Sequence, residues 1–159
     1  MSSIEKNTEG LKISVPKTTS VAIVKSRYNA EITDALLESC IEELKIGGVS
    51  DEHISVMEVP GAYELPLGCQ HMIKRGKPDA VIALGAVIKG ETPHFDFIAS
   101  SVSDGIMQIN LDTNTPVIFG VLTPNTIDQA KARIKGGAHG DKGKEAALSA
   151  LMMINNLIQ

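Results

Sequence analysis

Aromatic rings are scarce in this sequence. Only 3% of its 159 residues are aromatic: two Tyr, three Phe and no Trp. They are Tyr28, Tyr63, Phe95, Phe97 and Phe119. A surface that stacks single-stranded nucleic acid needs more rings than this. A core must come from Ile, Val, Leu, Ala and Met instead. Cysteine is scarce too. Cys40 and Cys69 form no CxxC pair and sit in apolar helical stretches, which reads as two free buried thiols and not a disulfide framework. No apolar run approaches the ~18 residues of a membrane-spanning helix. Met1 to Leu11 lacks the apolar segment of a secretory signal, so the expected compartment is the cytoplasm. Basic runs are also missing. Lys plus Arg number 15 against 19 Asp plus Glu, a formal charge of −4. That balance argues against non-specific nucleic-acid binding. The four His form no HxxxH and no Cys/His cluster, so no metal site is expected.

What is present is a globular composition, 43% apolar and 21% charged. The length suits one domain. Residues 1–19 read as a polar arm with one candidate short strand, Leu11 to Val15. Residues 20–159 read as a single α/β domain. Ser20 to Lys25 is a continuous β-branched run, as in a strand buried on both faces. Asn29 to Ile46 has a helical apolar period, stopped by Gly47-Gly48. Ile54 to Val59 is a second strand, and a helix follows from about Tyr63 to Lys74. Asp79 to Val87 holds a third strand. Thr92-Pro93 reads as a helix start, a hydroxyl cap followed by Pro at the first position, with the helix running to about Asn110. Pro116 to Val121 is a fourth strand. Thr126 with Gln129 matches a capping box. Gly136 to Gly140 is a loop, and Asp141 opens a last helix to about Leu157.

Four alternations of strand and helix predict a three-layer sandwich: a central four-stranded parallel sheet flanked by helices, flavodoxin-like in architecture. Ligands in such folds sit beyond the carboxyl ends of the strands. The last helix is apolar around most of its circumference, from Ala146 to Ile158. One face can lie on its own sheet, and the other is expected to meet another subunit.

At the carboxyl ends, Gly85 to His94 is the richest segment. Two glycines allow close backbone approach, and the helix start behind them is a ready anion site. No Lys-Ser or Lys-Thr follows the second glycine, so it is not a P-loop. His94 falls in the first helical turn, where the positive helix end disfavours imidazolium and leaves a ring able to accept a proton. From the residues alone, a plain chain turn with a locally bonded histidine fits equally well. Val59 to Pro66 presents Tyr63 and Glu64 through a bend fixed by two prolines and a glycine. A rigid turn with a helix-start charge fits that segment slightly better. Tyr28 can stack on a planar ring, and Asn29 can cap a helix or bind ligand. Arg133, His139 and Lys142 flank a Gly-rich loop, where Arg can clamp a phosphate or all three can be solvated charges.

Taken together, these segments resemble the lumazine synthase family of riboflavin biosynthesis. The resemblance covers about residues 20–158. It rests on Arg27-Tyr28-Asn29, Val59 to Pro66, Gly85 to His94, Pro116 to Gly120, and Arg133 with Asp141-Lys142-Gly143. It implies condensation of 5-amino-6-(D-ribitylamino)uracil with 3,4-dihydroxy-2-butanone 4-phosphate to 6,7-dimethyl-8-ribityllumazine, a transferase reaction needing no metal and no organic cofactor. It assigns Tyr28, with a hydroxyl where Phe or Trp is usual, to stacking on the pyrimidine. Asn29 falls beside it. Ala62, Tyr63 and Glu64 match the segment holding the ribityl chain. Val87, Ile88 and Lys89 match the pyrimidine edge. Gly90, Glu91 and Thr92 match the phosphate loop. His94 matches the proton-transfer residue. Phe119, Arg133 and Lys142 match residues supplied by the neighbouring subunit, with Arg133 on phosphate.

The implied partners are the small-molecule substrates, further copies of the chain in a homopentamer, and riboflavin synthase as a candidate functional partner. Neither nucleic acid nor membrane is expected. The loop between Arg133 and Lys142 is about one residue longer than in many relatives, in a region that influences shell assembly. The arm with Pro16 lies where subunits exchange strands. Pentamer, decamer and icosahedral shell all stay open. The competing readings are a flavin- or lumazine-binding module of flavodoxin type, and a shell-forming protein without catalysis. A binding module has no need for a base such as His94 beside a phosphate loop, and the intact set Tyr28, Glu64, His94, Arg133 and Lys142 argues against a shell with a vestigial cleft.

Overall fold

The structure is a computed structural model that describes residues 13–158. Four strands, β1 (Val21–Ser26), β2 (Ile54–Val59), β3 (Ala80–Ala86) and β4 (Val117–Leu122), form one sheet in the order β2-β1-β3-β4. All three pairings are parallel. The central strands β1 and β3 are buried along their whole length, which is why their sequences are continuous apolar runs with little alternation. Strand β2 lies at an edge and carries Ser55, Val56 and Glu58 exposed.

Helices α1 (Ala30–Ile46) and α5 (Lys142–Ile158) cover one face, where Ile32, Leu36, Leu44, Leu151 and Ile154 close over Ile23, Ile82 and Leu84. Helices α2 (Leu65–Gly76) and α3 (His94–Thr113) cover the other, with Leu65, Cys69, Val102 and Ile106 over Ala22, Val24, Val81 and Ala83. This is the expected three-layer α/β sandwich. Each fully buried aliphatic side chain contributes roughly 1.5–3 kcal/mol. A short helix, α4 (Ile127–Lys131), links β4 to α5. Among the described residues no helix is long and apolar enough to cross a membrane.

Several expected details differ. Helix α3 begins at His94, with Pro93 at the capping position and no side-chain cap. Thr92 Oγ1 only accepts a long bond, 3.4 Å, from the His94 N–H. The Thr126 capping box is half formed. Thr126 Oγ1 accepts from the Gln129 N–H, but the Gln129 amide oxygen accepts from Asn125, one residue before the cap. Helix α2 is preceded by a separate tight turn at Ala62–Glu64, because Pro66 occupies its first turn. The arm Met1–Lys12 lies outside the described residues, and with it the start of the strand expected at Leu11 to Val15. Ile13 to Val15 joins no strand among the described residues. Val15 is buried and donates its N–H to the Gly47 carbonyl, 3.0 Å.

Helix α5 caps as its sequence suggests. Asp141 Oδ1 accepts from the N–H groups of Gly143 and Lys144 and from Ser39 Oγ on α1. A side chain on Gly143 would collide with the Leu36 carbonyl, so glycine sets the close approach of α5 to α1. Only one side of α5 is buried in the chain. Met152, Met153, Leu157 and Ile158 remain exposed.

Candidate active site

From β1 the chain winds to β2 on one side of the sheet, and from β3 to β4 on the other. The winding reverses between β1 and β3, and the loops leaving those strands separate there. That gap is where parallel sheets of this type hold ligands. A cleft of about 590 Å³ opens at this point. Three segments wall it: Tyr28-Asn29 after β1, Gly61 to Glu64 after β2, and Ala86 to Ile88 after β3. His94 and Ile98, from the first turns of α3, complete it.

The β1 loop is held by its backbone and by one amide. Arg27 N–H donates to the Val59 carbonyl, 2.9 Å, and Tyr28 N–H to the Pro60 carbonyl, 3.2 Å. Asn29 adopts a left-handed conformation at φ 59°, which Asn tolerates better than most residues. Its carbonyl receives the first helical N–H groups, from Ile32 and Thr33, while its side chain makes no cap. The amide instead reaches across the gap and donates to the Ala86 carbonyl, 2.8 Å.

The β2 loop is fixed by Glu64, whose Oε2 accepts the Gly61 N–H at 2.9 Å. Gly61 lies under the Tyr28 ring: a Cβ there would stand 3.2 Å from Tyr28 Cδ2. The ring is 73% exposed, so one face is available for stacking. Tyr63 is exposed beside it. The β3 loop is pinned by Val87 N–H to Leu122 and Lys89 N–H to Pro124. Lys89 carries its ammonium 5.7 Å above the Phe95 ring.

The cleft therefore brings together eight residues expected from sequence: Tyr28, Asn29, Ala62, Tyr63, Glu64, Val87, Ile88 and His94. Gly61, Ala86 and Ile98 are additional. Gly61 was visible as turn punctuation. Ala86 falls inside the Gly85 to His94 segment singled out from sequence; Ile98 carries no polar signature, and only the fold reveals it. Lys89, Gly90, Glu91 and Thr92 follow directly on the cleft wall as an exposed loop leading to His94. Phe119, Arg133 and Lys142 do not line the cleft of their own chain. Phe119 is 43% exposed on β4, the opposite edge strand. Arg133 and Lys142 are neighbours, since Lys142 N–H donates to the Arg133 carbonyl at 2.9 Å. Arg133 Nη1 donates to the Gln129 carbonyl and Lys142 Nζ pairs with Glu145.

Both cysteines are buried thiols away from the cleft. Burial pushes Cys69 up to about 12. Cys40 is raised further, by burial and then by the negative charge of Asp141.

Comparison with known proteins identifies the family. A family model described as 6,7-dimethyl-8-ribityllumazine synthase matches residues 18–157. A 6,7-dimethyl-8-ribityllumazine synthase of Edwardsiella ictaluri (strain 93-146) is 55% identical over 138 residues, covering 86% of this chain and 88% of the relative. Both matches run through every segment that forms the cleft.

Proposed function

Because the chain belongs to the 6,7-dimethyl-8-ribityllumazine synthase family, we propose that its cleft condenses 5-amino-6-(D-ribitylamino)uracil with 3,4-dihydroxy-2-butanone 4-phosphate, the penultimate step of riboflavin biosynthesis. The observation that carries this is the cleft at the winding reversal, lined by the exposed Tyr28 and by His94. Tyr28 stacks on the pyrimidine, and Glu64 with Tyr63 and Ala62 receives the ribityl chain. Val87, Ile88 and Lys89 border the ring edge. Gly90, Glu91 and Thr92, ahead of the α3 N-terminus, receive the phosphate.

In the reaction the 5-amino group attacks the ketone carbonyl and water leaves, giving an imine. Loss of a proton and departure of phosphate follow. The resulting enol tautomerises, and the ribityl-bearing nitrogen closes the ring on the remaining carbonyl with loss of a second water. Each step moves a proton, and His94, which lines the cleft, accepts and returns it. Such help is worth roughly 10²–10⁴-fold. Holding two substrates in one cleft supplies much of the rest.

The cleft is completed by a second copy. Arg133, Lys142 and Phe119 lie outside their own chain's cleft, and Phe119 and the Met152, Met153, Leu157 and Ile158 side chains of α5 are exposed, which supports a neighbour's cleft receiving the three residues. The assembly is a homopentamer or a shell of pentamers, and the compartment is the cytoplasm, in keeping with two free thiols. Incubating the protein with both substrates and following the lumazine chromophore tests the reading. Product well above the spontaneous background is expected. Ring binding without turnover would replace the enzyme with a lumazine-binding module.

A further inference from the structure

Outside the cleft, one group of charges is anchored in the protein interior. Lys25 lies in the middle sheet on β1, only 5% exposed. Its ammonium meets Glu58 Oε2 at 3.0 Å and bonds Asp34 of α1. Lys25 and Glu58 are register partners on adjacent strands. The second Glu58 oxygen accepts from Arg27 Nε. An ammonium withdrawn from water must be paired, so the positions of both carboxylates follow from that of Lys25. Exposed ion pairs alone rarely hold a geometry. This one is held because its centre is buried.

We propose that Glu58 is a positioning residue for the ring-stacking wall of the cleft, acting through Arg27 on Tyr28. This rests on the assignment of Tyr28 to the pyrimidine. Arg27 directly precedes Tyr28, and Glu58 lies three positions before Gly61, on which the Tyr28 ring packs. The pair thus fixes both partners of one contact, the ring and the backbone beneath it. The Lys25–Asp34 bond closes the far side of the same turn, because residues 26–33, which include the Arg27 to Asn29 turn, lie between them. Glu58 itself does not line the cleft.

Steady-state kinetics of Glu58→Gln and Arg27→Met, each substrate varied in turn, test this. Arg27 is exposed, so its loss leaves the core intact even if Glu58→Gln folds poorly. The expected result is a KM for the ribitylaminouracil raised roughly two- to fivefold, the scale of one such pair, with kcat and the KM for the phosphorylated ketone unchanged. Arg27→Lys should recover most of the difference. Titration calorimetry with the ribitylaminouracil alone should show the same contrast. Thermal stability lost with both KM values unchanged, or both KM values moving together, overturns the proposal. If wild type binds the ring but makes no product, the enzymatic reading fails instead, and calorimetry still decides the role of Glu58.

Discussion

The Asn29 side-chain amide donates to the Ala86 carbonyl across 2.8 Å, joining the exits of β1 and β3 where the sheet reverses its winding. It is the one side-chain bond described between those two exits. Two requirements coincide at this residue, a left-handed backbone and an amide of the right length.

Substitution separates them. Asn29→Gly keeps the left-handed backbone and loses the bond, at a cost of about 0.5–1.5 kcal/mol. Asn29→Ala loses both and should cost a further ~1–2 kcal/mol. Denaturant unfolding of the two variants reads the difference. Equal losses would show that the backbone conformation carries no strain.

His94 and Arg133 should give opposite kinetic signatures. His94→Ala is expected to lower kcat by as much as ~10²-fold or more with substrate binding near normal. An unchanged kcat would mean that proximity of the substrates dominates the rate. Arg133→Ala should raise the KM for the phosphorylated ketone roughly ten- to a hundredfold, the worth of a charge-assisted hydrogen bond. A selective loss of pyrimidine binding would contradict its assignment.

The charge group on β1 and β2 makes stability pH-dependent in two windows. Hydrogen bonds from Arg27 and Lys25 hold the Glu58 carboxyl below its ordinary 4.5. Its contribution is complete above that value and fades as pH falls through the lowered one. Burial pushes the Lys25 ammonium down, but bonds to Asp34 and Glu58 outweigh it and raise it above 10.5. That contribution holds below 10.5 and is lost as pH rises past the raised value. Unfolding midpoints across pH should fall at both extremes, and Glu58→Gln should flatten the acid limb. An acid limb unchanged by the substitution would place its origin elsewhere.

Both cysteines should resist thiol reagents in the folded protein, since burial raises them far from thiolate formation at neutral pH. Titration with a chromogenic disulfide should find neither thiol until denaturant is added. Rapid reaction of one would mean that its helix opens readily.

The fold was legible because its signals are strong and local. Buried parallel strands such as Ala80 to Ala86 leave continuous apolar runs, and Gly47-Gly48 stops α1 where the period ends. Tyr28, Glu64 and His94 were legible because each falls at a strand exit within a recognisable motif. Ile98 was not, being apolar, on a helix outside every named segment, and placed only by tertiary packing. Thr92-Pro93 looked like a cap and first turn, yet α3 starts one residue later, with Pro93 at the capping position and only a long 3.4 Å bond from the His94 N–H to Thr92 Oγ1. Lys25 read only as the last residue of a strand buried on both faces. Its buried pairing depends on the register that sets it opposite Glu58.

In the proposed enzyme the catalytic cleft is built from two copies, with His94 from one and Arg133 from the next. Subunit mixing tests it most directly. His94→Ala and Arg133→Ala proteins, each nearly inactive at low ketone phosphate, are dissociated together, reassembled at equal ratio and assayed. In a ring of head-to-tail interfaces roughly a quarter of the clefts then hold both intact residues, so activity should return to about that fraction of wild type. Activity no higher than that of the separate variants, in a mixture shown to have exchanged subunits, would contradict the shared cleft.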